Sequence, residues 1–119
     1  MLVWDETDVL TVLEVLPDIE PDQIWHKYSV LKNGLELKLT IYQYDGDVHI
    51  EVFNTNDSSR IFNIDLIGCD GLRRKKDKTG EYLQFAPATC FGGRYDGQSN
   101  IPFGVRLQIT PNINVSLYG

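Results

Sequence analysis

Two histidines and two cysteines carry the widest chemical range in this sequence, and no two of them are spaced for a joint task. Cys69 and Cys90 lack the CxxC spacing of a redox or zinc pair, and His26 and His49 lie far from both. That spacing argues against a zinc centre, and without a signal peptide the two cysteines are expected as reduced thiols rather than as a disulfide. His26 could act as a general base only with a carboxylate to orient its ring, and the local sequence supplies none. A hydrogen-bonded structural role fits His26 better. His49 has Glu51 two residues on, which on a strand would point the same way. Acids such as Asp45 and Asp47 fall in turn positions, where their side chains serve the backbone. No Ser-His-Asp order, HExxH or EF-hand pattern occurs. Residue types and spacing therefore predict no catalytic residues, no metal ligands and no cofactor.

Two stretches could bind rather than react. "LRRKKDKTGEY" (72–82) gathers Arg73, Arg74, Lys75, Lys76 and Lys78, five of eleven basic residues, in a chain of net charge −6. Such a run raises a local positive field and could hold an anion or nucleic acid. It also fits a hairpin on a sheet edge, where lysines discourage pairing with another chain. Adjacent cations would fall on both faces of that strand, which a packed interior would not accept. The edge reading is preferred. "CFGGRYDGQSN" (90–100) places Arg94, Tyr95 and Asp96 beside glycines that let backbone amides approach a ligand, and Arg94 could grip a carboxylate or phosphate. Its spacing matches neither GxGxxG nor a P-loop.

The elements that must position these residues are legible from period. Val9, Val12, Leu13 and Leu16 recur at helical spacing, with Leu10 beside them. Asp5 or Thr7 can cap this helix, Glu6 and Asp8 suit its positive end, and Pro17 stops it. A helix over 5–16 and a rigid connector over 17–23 are expected. The period then changes to two. "LELKLTIY" sets Leu35, Leu37, Leu39 and Ile41 against Glu36, Lys38, Thr40 and Tyr42. Segments 47–54, 101–109 and 112–118 alternate in the same way. About eight strands are predicted, over 24–32, 35–44, 47–54, 60–67, 72–76, 81–86, 101–109 and 112–118. One polar face per strand indicates antiparallel sheets.

Asn33-Gly34 and Asp45-Gly46 are two-residue hairpin signals. If both close their hairpins, Trp25 lies opposite Tyr42 and Tyr42 opposite His49, in one row on the polar face. Trp25, Tyr42 and His49 would form a stacking platform, unless the N-terminal helix covers that face. His26 would fall on the opposite face, beside Ile41.

At 119 residues, 42% hydrophobic and 24% charged, the sequence describes one folded domain. It is all-β, an antiparallel sandwich or small barrel of about eight strands behind one N-terminal helix. It comprises a meander over 24–86, a long loop over 87–100 and a C-terminal hairpin over 101–118. No apolar run is long enough to cross a membrane, and the start "MLVWDETD" lacks signal-peptide character; the expected compartment is the cytoplasm. Residues 1–26 hold seven acids and no Lys or Arg. Such a surface repels nucleic acid and steers in a basic partner. The expected function is non-enzymatic binding of another protein, of the inhibitor, immunity or adaptor type. The alternatives are an apolar small molecule inside a barrel, or nucleic acid or another anion on the basic hairpin.

Overall fold

A computed structural model describes residues 1–87 and 103–118. The expected mostly-β architecture is what forms, with one short helix and two antiparallel sheets among the described residues. The sheets keep separate ladders, so the chain is a sandwich and not the small barrel.

The helix α1 spans Glu6–Leu13, shorter than the expected 5–16. Asp5 caps it, its side chain accepting from Thr7 N at 2.8 Å. At the other end Glu14 adopts a left-handed conformation, φ 58°, and its N–H closes on Leu10 O. The stop thus falls three residues before Pro17. Leu16 precedes a proline, which disfavours helical backbone there, and the last turn unwinds ahead of it. Val9, Val12 and Leu13 are buried. Leu16, expected on the same stripe, is 81% exposed.

The first sheet has the order β1-β2-β3-β4-β5, over Asp18–Ile19, Trp25–Lys32, Leu35–Tyr42, Asp47–Asn54 and Arg60–Leu66. The second has the order β6-β7-β8-β9, over Gly71–Asp77, Gly80–Ala86, Gly104–Gln108 and Asn114–Tyr118. The additional strand, β1, lies in the connector and pairs Asp18 with Lys27 and Ile19 with His26. Two residues between prolines are too few to show a period.

One core joins the layers. Tyr28, Val30, Leu37, Leu39, Ile41, Val48, Ile50 and Val52 come from the first sheet. Leu72, Leu83, Phe85, Val105 and Leu107 come from the second, and Val9, Val12 and Leu13 from α1, which packs against β6 and β7. Full burial of each such side chain contributes about 1.5–3 kcal/mol. That burial is why the alternating pattern is decisive.

The two hairpin signals behave differently. Asn33 (φ 53°) and Gly34 (φ 80°) form a two-residue turn that pairs Lys32 with Leu35. Asp45-Gly46 does not close in this way: Tyr42 pairs with Asp47, leaving a four-residue loop. Only Gly46 there has positive φ, at 78°, whereas a type I′ turn needs two such residues. The loop is held by tertiary contact instead, with Cys69 N donating to Gly46 O at 2.8 Å.

Candidate functional site

The outer face of the first sheet carries the aromatic row. Trp25 pairs directly with Tyr42, as expected. His49 pairs with Thr40 and not with Tyr42, because of the longer loop. A slip of two residues preserves the face, so the rings still meet on the diagonal. The Tyr42 and His49 centroids lie 5.4 Å apart in a T-shaped arrangement. All three residues are half-buried. The helix does not cover them, since α1 packs on the core side.

The row's polar atoms are engaged locally. His49 Nδ1 lies 2.6 Å from Asp65 Oδ1 on the neighbouring strand. Glu51, which points the same way as His49 from two residues on, accepts from Arg60 at 3.1 Å. Directly opposed residues on paired strands come closer than residues two apart on one strand, and the pair His49–Asp65 is directly opposed. The Lys27 ammonium sits 4.5 Å from the Trp25 ring centre.

His26 lies on the inner face beside Ile41, as expected, and is fully buried. The expectation that no carboxylate neighbours it is overturned. Glu6 Oε1 stands 2.8 Å from its Nε2, and the Trp4 ring meets it edge-on at 5.0 Å. Glu6 lies twenty residues away in sequence, and only docking of the helix brings it there. Its Nδ1 is buried without a hydrogen-bond partner among the described residues. Beside it, burial first and the Glu6 charge second push the Tyr28 hydroxyl up to about 12.

The basic hairpin forms the edge of the second sheet, the place expected for it. Arg73 and Lys75 fall in register with Gln84 and Tyr82, while Arg74 and Lys76 fall in register with Leu83 and Glu81 on the other face. Arg74 reaches Glu81 at 3.7 Å, and Thr11, Glu14 and Lys76 line one shallow groove beside the helix. Lys78 and Thr79 make the tip. There Asp77 accepts from Thr79 N at 2.8 Å and Thr79 Oγ1 at 2.6 Å. These hydrogen bonds hold its carboxyl below the usual range. The edge is partly capped by Val3, which bridges Gly71 in parallel sense.

One arrangement gave no sequence signal beyond an isolated cation. Arg106 is stacked between Tyr82 and Tyr118, at 4.9 and 4.4 Å from the two ring centres. Tyr82 in turn donates to Asp77 Oδ2 at 2.9 Å. Alternate positions on three adjacent strands produce this stack once β8 is known to lie between β7 and β9.

Cys69 is a free thiol, buried, and pushed up to about 12 by desolvation and then by Asp47 and Asp70. It is therefore no ready nucleophile. Arg94, Tyr95, Asp96 and Cys90 lie outside the described residues. Among the described residues no group of three or more His, Cys, Asp or Glu could hold a metal ion, and no helix is long and apolar enough to cross a membrane.

No family model matches the chain, and no curated protein matches it. Among solved structures it is similar to a chain of a contact-dependent growth inhibition toxin–immunity protein complex from Klebsiella pneumoniae 342. The match covers 98% of this chain and 95% of that one, with a TM-score of 0.76 and 16% identity. At that identity the shared property is the fold.

Proposed function

We propose that this chain is a non-enzymatic protein-binding module of the immunity type. It would neutralise a toxic protein by occupying it, and act in the cytoplasm. The observation that carries this reading is the end-to-end likeness to a chain of a toxin–immunity complex. The side-chain chemistry supports a binder. Although Glu6 orients His26, that ring is fully buried and out of a substrate's reach, and the Cys69 thiol is buried and pushed up to about 12. The net charge of −6 favours a basic protein over nucleic acid as partner.

The test is co-expression with a toxin domain drawn from the genes flanking its own. The expected result is restored growth of the toxin-bearing cells and a stable 1:1 complex on gel filtration. Absence of both protection and complex would defeat the reading. So would growth arrest by this chain alone, which would make it the toxic half.

A further inference from the structure

We propose that the corner where α1 meets β1 docks a protein whose contacting face is basic and offers an apolar cleft for Leu16; the inference rests on the protein-binding reading above. Leu16 is 81% exposed, Leu10 43% and Ile19 46%. Single exposed leucines are ordinary, but these three line one groove of about 250 Å³, with Pro17 and Tyr28 behind them. Leu16 also borders a second groove of about 430 Å³ on the other side, over the outer face of the first sheet. It is therefore a ridge between two concavities. Its exposure follows from the local backbone: the left-handed Glu14 ends the helix and Pro17 redirects the chain. Nothing in the core needs Leu16, and its apolar surface remains available to a partner.

Charge selects the occupant. Residues 1–26 carry seven acids and no Lys or Arg. Glu6 lines the smaller groove and Asp18 the larger, and Glu14 and Asp22 are exposed along the same segment. The two lysines at the larger groove are exposed and are balanced in its lining by Asp18 and Glu51, so the excess negative charge lies on the helix side of Leu16. Lys27 sits over Trp25, and Lys38 lies 5.0 Å from the Phe53 ring and 4.0 Å from Glu36. Nucleic acid and anionic lipid are repelled by such a rim. A second copy of this chain in a two-fold interface would set these acids against themselves. A basic protein gains from both the rim and the ridge, the rim speeding encounter and Leu16 supplying the desolvated anchor.

The experiment uses Leu16→Asp and Asp18→Lys, singly and together, in the full chain. The probe is the recombinant toxin domain that passes the co-expression test, and affinity and association rate are measured at low and physiological salt. Leu16→Asp is expected to weaken binding by roughly 30-fold or more. Asp18→Lys is expected to slow association and flatten its salt dependence. Thermal midpoints should stay at the wild-type value, since both side chains are exposed. Lys75→Ser, on the opposite sheet, should bind as wild type. Wild-type affinity in the double variant would overturn the assignment of this surface while leaving the immunity reading intact. A wild-type dimer that Leu16→Asp dissociates would overturn it in favour of a second copy. If no wild-type complex with a toxin domain forms, the functional reading itself fails, and this inference with it.

Discussion

The Glu6 carboxylate meets the His26 imidazole at 2.8 Å, Oε1 to Nε2, and so pins the first turn of α1 to the inner face of β2. A carboxylate can only accept, so Nε2 carries the hydrogen. The ring is fully buried and the Glu6 side chain is 59% exposed. The bond therefore satisfies a donor that has no water to turn to. Helix placement and histidine placement are one event.

Glu6→Ala should destabilise the domain by about 1–3 kcal/mol, the cost of leaving a buried donor unpaired. Glu6→Gln, whose amide oxygen can still accept, should cost less. Urea denaturation measures both. Equal midpoints for Glu6→Ala and wild type would show that the contact contributes nothing.

The loop after β3 makes a second comparison possible. A Cβ at Gly46 would stand 2.7 Å from Cys69 O, while one at Gly34 would meet nothing within 4 Å. Both glycines have positive φ. Gly34→Ala should therefore cost only the conformational term, about 1 kcal/mol, and Gly46→Ala clearly more. Equal losses would mean that the 43–46 loop does not pack on the backbone at Gly68 and Cys69.

Cys69 should give the stability curve an alkaline limb. Its thiol, ordinarily at 9.0, is raised to about 12 in the folded protein. The folded state thus holds the proton more tightly than the unfolded state. Its contribution is complete below pH 9 and is lost as the pH rises to 12, with a slope of up to about 1.4 kcal/mol per pH unit. Cys69→Ala should flatten that limb in denaturation midpoints measured from pH 8 to 10. At pH 8 the native thiol should also resist alkylation until the protein is unfolded.

The basic edge makes the last prediction. Replacing Lys75, Lys76 and Lys78 with Ser should raise aggregation, measured by light scattering, because the edge loses its like-charge guard. The wild type should not bind heparin or duplex DNA appreciably at physiological salt. Salt-sensitive micromolar binding that the substitutions abolish would make this hairpin a binding site.

Period two and Asn33-Gly34 were enough to predict the strands over 25–54 and the facing of Trp25 and Tyr42. Both are local properties, since burial of one sheet face forbids a one-residue slip. The helix start, with Asp5 one of two candidate caps, and the edge position of the 72–78 run were legible for the same reason: each depends on a few adjacent residues. What tertiary structure decided lies in contacts between distant segments. Glu6 reaches His26 across 20 positions, and Asp65 reaches His49 across 16. Arg106 finds its two tyrosines only through the order of β7, β8 and β9. The Gly46 loop departed from its local signal because Cys69 holds it, and Leu16 left the helical stripe because the chain turns before Pro17. Sequence patterning constrains which face a residue takes; which residue stands opposite it on another element is set by how helix and sheets pack.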